Sequence, residues 1–84
     1  MILDVLTRLV ADIFDMDPED ISEDCEFIED LNADEMDLVE LVFACEEEFD
    51  VSLSEISEAD EDLFAGKLKT VGDLARYLEA RVEE

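Results

Sequence analysis

The chain of 84 residues lacks the side chains on which most enzymes and zinc sites depend. It has no histidine, and its two cysteines, Cys25 and Cys45, do not form a CxxC pair. Because zinc sites are built from cysteine and histidine at short spacings, the sequence argues against one. Reduced thiols are expected, since disulfides are rare inside cells. With no histidine and no activated nucleophile, no catalytic residues and no enzymatic activity are predicted.

Positive charge is also scarce. Five basic residues stand against 28 acidic ones, and the formal net charge at pH 7 is −23. This argues against nucleic acids, which proteins bind through cationic contacts, and against anionic membrane surfaces. Partner proteins with basic patches and weakly bound divalent cations suit such a surface. Self-repulsion should weaken as salt screens it, so stability is expected to rise with ionic strength or added Mg²⁺.

Long apolar runs are absent, and no segment reaches membrane-spanning length. The opening residues 1–5 contain Asp4, where a signal peptide would carry basic residues, so a cytoplasmic location is expected. What is present is a nearly half apolar composition, which is enough for a packed core. The length indicates a single small domain over residues 1–84, expected to be a monomer.

Apolar spacing predicts helices rather than strands. The first helix has one apolar face and ends at Pro18 at the latest, because the residue before proline leaves helical geometry. A long connection follows, from about Met16 to Asp34, and its apolar residues should pin it to the core. The apolar positions of the helix are Ile2, Leu6, Leu9, Val10, Ile13 and Phe14, and those of the connection are Ile21, Phe27, Ile28 and Leu31.

A second helix is predicted from about Glu35 to Phe49, with Asp34 as its N-cap and acids in its first turn. One apolar stripe has core spacing and consists of Leu38, Leu41, Val42, Cys45 and Phe49. Val39 and Phe43 form a second pair. This pair either widens the buried stripe or forms an exposed apolar spot ringed by acids, suited to a partner with an apolar notch and a basic rim.

The remaining sequence is less periodic until its last helix. A short third helix is suggested by Ile56, Ala59, Leu63 and Phe64, with Gly66 near its end. Thr70 has the features of an N-cap, and Asp73 stands at the capping-box position. The last helix has an apolar face made of Val71, Leu74, Ala75, Leu78 and Val82. The predicted fold is therefore all-α, a four-helix bundle with a short third helix.

Two separated segments carry a family resemblance. The first is Phe27-Ile28-Glu29-Asp30-Leu31-Asn32-Ala33-Asp34-Glu35-Met36-Asp37-Leu38-Val39-Glu40-Leu41-Val42, with Glu46-Glu47-Glu48-Phe49-Asp50 further on; the second is Thr70-Val71-Gly72-Asp73-Leu74 with Tyr77. Together they resemble acyl carrier proteins. The resemblance implies the same bundle, a role in fatty-acid or polyketide-type metabolism, and recognition by enzymes with basic patches. The recognition residues it implies are Asp34, Met36, Asp37, Val39, Glu40, Phe43 and Glu47.

The sequence departs from that family at the position that matters for its chemistry. The family carries 4'-phosphopantetheine on the serine of an Asp-Ser-Leu triplet, and this triplet here is Asp34-Glu35-Met36. We therefore expect no attached cofactor. Glu35 is either a plain first-turn residue or an imitation of the phosphate of the modified serine. Asn32 replaces the usual glycine, and Met36 is a volume-conserving replacement for leucine that a core would tolerate.

A longer segment and several serines complete the departures. Residues 51–69 form a longer stretch than is usual in the family. The other serines lie outside the Asp-x-Met frame and are expected to be turn or cap residues. They are Ser22, Ser52, Ser54 and Ser57.

Two alternatives remain open. One is a functional acyl carrier protein whose serine was mutated or is supplied elsewhere. The other is a divalent-cation-binding acidic helical module, with acids such as those of residues 58–62 binding loosely. A stricter calcium frame, Asp15, Asp17, Glu19, Ile21, Glu23 and Glu26, follows EF-hand spacing, but Asp20 stands where the sharp turn needs glycine. No specific metal site is expected.

Overall fold

The computed structural model describes residues 2–53 and 61–82, which form four α-helices as predicted. No strand occurs in these two ranges, and none of their helices is long and apolar enough to cross a membrane. A 3₁₀ turn at Pro18–Asp20 lies in the long first connection. The helices are α1 (Ile2–Phe14), α2 (Glu35–Phe49), α3 (Glu61–Ala65) and α4 (Val71–Val82).

Helix α1 packs against both α2 and α4 through the predicted apolar face. Leu6, Val10 and Ala11 are buried, and the other apolar residues of this face pack at the edge of the core. The helix ends at Phe14, before Pro18, and the next residue, Asp15, has a left-handed φ of 55°. The Met16 backbone N–H donates to the Ala11 carbonyl at 2.8 Å, a Schellman-type closure. The end of the helix is therefore set by its own C-cap.

The connection from α1 to α2 is pinned to the core, as predicted. Ile21, Phe27 and Leu31 are buried and Ile28 packs against the core. Phe27 meets Phe64 of α3 edge to face, with 5.5 Å between ring centroids and 83° between planes. This arrangement suits the aromatic quadrupole and places the connection next to α3.

Backbone hydrogen bonds tie the same connection to the start of α4. Around a single antiparallel bridge, the Phe27 N–H donates to the Lys69 carbonyl at 3.1 Å and the Val71 N–H to the Cys25 carbonyl at 3.0 Å. The Gly72 N–H donates to the Glu23 carbonyl at 2.8 Å. A Cβ on Gly72 would lie 3.0 Å from that carbonyl oxygen, so the close approach of the two backbones depends on glycine.

In the second half of the chain the predicted third helix is confirmed in part, and two features differ from expectation. Leu63 and Phe64 lie in α3 and Gly66 follows its end, whereas Ile56 and Ala59 lie outside the described residues. Leu53 and Leu68 are buried in the core although their aperiodic surroundings gave no signal of it. Val82, in the last turn of α4, is 42% exposed and is therefore not part of the buried face of this helix.

Both cysteines are free thiols, as predicted. Cys45 is fully buried on α2, and burial, assisted by the charge of Glu46, raises the pKa of its thiol to about 12. Such a thiol stays protonated at neutral pH and acts as a small apolar core residue. Cys25 is half-buried, and its Sγ accepts a hydrogen bond from the Ser22 N–H at 3.3 Å.

Candidate functional site

The first turn of α2 is fixed by a reciprocal capping box. The Asp37 N–H donates to Asp34 Oδ1 at 2.9 Å, and the Asp34 N–H donates to Asp37 Oδ2 at 3.2 Å. Asp34 has extended backbone, with φ −106° and ψ −178°, as an N-cap requires. The predicted cap is confirmed. Its partner at the third helical position is an aspartate in place of the usual glutamate.

The residues that precede this cap are anchored to the core. Leu31 and Ala33 are buried, and the Ala33 N–H donates to the Phe27 carbonyl at 2.9 Å. Between them Asn32 has a φ of 56°, in the left-handed region. Asparagine is one of the few residues besides glycine that adopts this conformation readily, which explains why it suits this position. The start of α2 is therefore anchored although it faces solvent.

Glu35 and Met36 project from this start into solvent. Both are exposed, and Met36 is 70% exposed. The expectation that Met36 acts as a core replacement for leucine is wrong, because no element formed by residues 2–53 and 61–82 covers the first turn of α2 at this position. Glu35, as an acid in the first turn, is favoured by the helix dipole by a few tenths to about 1 kcal/mol.

Further along α2, the second apolar pair is split between core and solvent. Val39 is half-buried and packs against the core, which widens the buried stripe, while Phe43 is 60% exposed. Glu40 and Glu47 are exposed, and Asp37 is half-buried in the capping box. Of the seven predicted recognition residues, five are exposed and two are half-buried. The exposed ones are Asp34, Met36, Glu40, Phe43 and Glu47.

The opposite end of α2 contains a residue whose role the sequence did not reveal. Glu46 is half-buried, and its Oε2 accepts a hydrogen bond from the Leu53 N–H at 2.8 Å. Its carbonyl accepts from the Val51 N–H at 3.3 Å, next to Asp50, which is left-handed with a φ of 52°. Glu46 thus closes the helix and positions the chain beyond it. In sequence it resembles its exposed neighbours Glu47 and Glu48, so only the structure separates them.

The electrostatic character of α2 is uniform. The helix carries no basic residue, whereas its six acids are Glu35, Asp37, Glu40, Glu46, Glu47 and Glu48. Among the described residues, the two ion pairs lie elsewhere, between Lys69 and Glu26 and between Arg76 and Asp73. The exposed face of α2 is therefore an unneutralised acidic surface with two exposed apolar residues, Met36 in the first turn and Phe43 near the middle of the helix.

The other serines offer no equivalent of the α2 start. Ser22 is exposed in the long connection, with its Oγ 3.7 Å from Cys25 Sγ, and Ser52 is exposed beyond the end of α2. Ser54 and Ser57 lie outside the described residues. Neither described serine begins a helix, in keeping with the expectation that they are turn residues.

Metal-binding geometry is not found in the part of the chain that the structure describes. In residues 2–53 and 61–82, no group of three or more acidic or cysteine side chains is placed to hold a metal ion. Within the EF-hand-like frame, residues 18–20 form a 3₁₀ turn and the side chain of Ile21 is buried. Of the acids in residues 58–62, Glu58 and Asp60 lie outside the described residues.

Comparison with known proteins accords with this geometry. Residues 4–78 match the family described as "Phosphopantetheine attachment site". The chain is 41% identical over 78 residues to an acyl carrier protein of Wolinella succinogenes, with 93% of each chain covered. It is 44% identical over 78 residues to one of Chlamydia muridarum, covering 93% of this chain and 92% of the relative. Another, of Clostridium acetobutylicum, is 38% identical over all 84 residues of both chains. A start of α2 capped by aspartate and open to solvent thus lies within the matched region, and the chain belongs to the acyl carrier protein family.

Proposed function

We propose that this chain is an acyl carrier protein-like domain that carrier-dependent enzymes recognise but that does not carry 4'-phosphopantetheine. The observation that carries the proposal is the carboxylate of Glu35 at the exposed, intact start of α2. The cap, the buried anchors before it and the acidic face after it all remain around this residue. The proposal therefore separates recognition by enzymes from covalent loading.

The chemistry of attachment requires a hydroxyl group. In the family, a serine hydroxyl attacks the pyrophosphate of coenzyme A and forms a stable phosphodiester. A carboxylate is a much weaker nucleophile in this reaction, and the mixed anhydride that it would form is hydrolytically labile. Glu35 therefore does not fit the cofactor, although its exposure would leave room for one.

Recognition is proposed to depend on the exposed face of α2. The six acids of the helix and its lack of basic residues favour enzymes with a basic rim. The exposed side chains of Met36 and Phe43 would form the apolar part of the contact, because exposed large apolar side chains are typical of contact surfaces. The pathway that we propose is fatty-acid or polyketide-type metabolism, the context of the family.

Family membership also sets the class of the molecule. Acyl carrier proteins are carriers and not enzymes, so no catalytic residues are proposed. We propose a single domain over residues 1–84 that is monomeric, because two copies with a charge of −23 each would repel one another. A cytoplasmic location and weak binding of divalent cations to the acidic surface complete the proposal.

Intact-mass measurement tests the loading half of the proposal. The protein is incubated with coenzyme A and a promiscuous phosphopantetheinyl transferase. We expect an unchanged mass for the natural chain and a phosphopantetheine adduct for Glu35→Ser. Glu40→Ser, which puts a serine at another exposed position of α2, is the matched control and should stay unmodified. An adduct on the natural chain would overturn the proposal that it cannot be loaded.

Binding to a carrier-dependent enzyme tests the recognition half. Phe43→Ala and Glu40→Lys should each weaken binding while the circular dichroism of the helices stays unchanged, because both side chains are exposed. Glu79→Lys makes the same charge change at an exposed position of α4 and should have little effect. Equal affinities for all four proteins would show that α2 is not the contact surface.

A further inference from the structure

We infer that the ring of Phe43, with the carboxylates of Glu40 and Glu47 beside it, forms a site for one arginine side chain of the partner. The inference rests on the proposed recognition by basic partners and specifies the chemistry of the central contact. The guanidinium would lie flat on the aromatic face while its N–H groups reach the carboxylates. The site would therefore prefer arginine to lysine.

The spacing of the three residues brings them onto one patch of the helix surface. Glu40 lies three residues before Phe43 and Glu47 four residues after it, and residues at these spacings are neighbours, with Cβ atoms about 5–6 Å apart. All three are exposed, and the ring itself is 60% exposed. The ring is thus accessible to solvent on the same side of the helix as the two glutamates.

Helix α4 shows a cation stacked on an aromatic ring at helical spacing. The guanidinium carbon of Arg81 lies over the ring of Tyr77, 5.2 Å from its centroid, and the two residues are four apart. The position four residues after Phe43 holds Glu47, so a cation from α2 itself is excluded by sequence. In the described residues, no cation–π contact involves Phe43. The ring therefore has anions where the ring of Tyr77 has its cation.

Charge and shape select the occupant. A second copy of this chain would bring another acidic α2 to the patch, and the like charges would repel. A lysine ammonium would pair with the carboxylates, but it is a compact, strongly hydrated charge that stacks poorly. An arginine guanidinium is planar, less strongly hydrated and able to stack while it donates several hydrogen bonds. Arginine on a cationic partner surface fits best.

Two synthetic peptides test the inference without a partner enzyme. Both are the same short amphipathic helix, with leucines on one face and cationic residues beside them, which are all arginine in one peptide and all lysine in the other. Affinities for the natural chain are measured by calorimetry at moderate salt. We expect the arginine peptide to bind about two- to fivefold more tightly, which is the size of an exposed cation–π contact.

Two variants decide whether Phe43 is the cause. Phe43→Leu keeps an apolar side chain without the aromatic face, and the two peptides should then bind equally. Val82→Leu, a control at an exposed apolar position of α4 outside the proposed contact surface, should keep the preference for arginine. Equal affinities for the natural chain, a preference that survives in Phe43→Leu, or no binding of either peptide would each overturn the inference. Loading of Glu35→Ser and binding to a carrier-dependent enzyme are measured separately, so they test the proposed function independently of this result.

Discussion

Helices α2 and α4 begin with the same device in opposite surroundings. Each has a reciprocal capping box, formed by Asp34 and Asp37 in α2 and by Thr70 and Asp73 in α4. The start of α4 is covered, since Val71 and Gly72 are buried and donate to carbonyls of the long connection. The start of α2 is open, with Glu35 and Met36 in solvent. Capping fixes where each helix begins, but the neighbouring chain decides whether that start is accessible.

Helices α2 and α4 also differ in their charge. Helix α2 has six acids and no base, whereas α4 has Asp73 and Glu79 balanced by Arg76 and Arg81. Arg76 donates to Asp73 at 2.7 Å, so part of the charge of α4 is neutralised internally. Helix α4, whose start is covered, thus has equal numbers of acidic and basic residues. The acidic charge of α2, whose start is open, remains available to an external cation.

The largest expected effect contrasts a buried and an exposed phenylalanine. Phe27→Ala should lower the free energy of unfolding by about 3–5 kcal/mol, because it leaves a cavity against Phe64. Phe43→Ala, on the open face of α2, should change it by no more than about 0.5 kcal/mol. Urea denaturation followed by circular dichroism measures both. Similar losses for the two variants would contradict the assignment of Phe43 to the surface.

The cover over α4 is tested by adding one methyl group. In Gly72→Ala the new Cβ would press on the Glu23 carbonyl, so this variant should be about 1–2 kcal/mol less stable than Gly66→Ala. Gly66 is the matched control, because a Cβ there meets its nearest atom, the Asp62 carbonyl oxygen, at an ordinary 3.4 Å. The same denaturation experiment compares the two. Equal free energies of unfolding for the two variants would mean that the connection between α1 and α2 shifts easily to accommodate the methyl group.

The caps themselves offer a direct comparison. Thr70→Ala should lower the free energy of unfolding by about 1–2 kcal/mol and Asp34→Ala by about 0.5–1 kcal/mol, within the range known for N-caps. The difference is expected because the hydrogen bonds of Thr70 are partly buried and those of Asp34 are exposed. A larger loss for Asp34→Ala would show that accessibility does not govern the strength of these caps.

Acid should weaken the cap of α4. The backbone N–H of Thr70, followed by Arg76, holds the pKa of Asp73 below its usual value, against a partial opposing effect of burial. Because the pKa of Asp73 is lower in the folded state than its unfolded-state value of about 3.9, the ionised carboxylate stabilises the fold at pH values above about 3.9. This stabilisation disappears as the pH falls through the lower folded-state pKa. In a titration followed by NMR, the Asp73 carboxyl should have its midpoint below that of an unperturbed aspartate. Asp73→Asn should show a smaller loss of stability over the same pH range.

The smallest expected effect concerns surface charge. Glu47→Gln on α2 should raise the melting temperature slightly at low salt, because it removes a charge from an all-acidic helix. Glu79→Gln on the balanced α4 should raise it less. The difference should vanish at high salt, where the melting temperature of the natural chain is expected to be higher. A difference that persists at high salt would not be electrostatic.

Periodicity and capping residues were sufficient to predict the helices but not their exposure. The bounds of α2 follow from Asp34 and from the stripe that begins at Leu38, since both are local signals. The burial of Leu53 and Leu68 could not be predicted, because it depends on how an aperiodic segment crosses the bundle. The exposure of Met36 likewise depends on tertiary packing, because no element in the part of the chain that the structure describes covers the first turn of α2. Glu35 itself was visible in the sequence, but its open surroundings were not.

The hydrogen bonds that join residues 23–27 to residues 69–72 also bear on how the molecule folds. The loop that leads to Asp34 is held by a segment far along the chain, so its shape cannot form until the last helix arrives. Such distant contacts close a long loop of chain, which slows folding but joins the two halves into one cooperative unit. Loss of α4 would therefore release the residues that lead to the start of α2. The geometry around Glu35 is a property of the whole domain and not of the short motif that contains it.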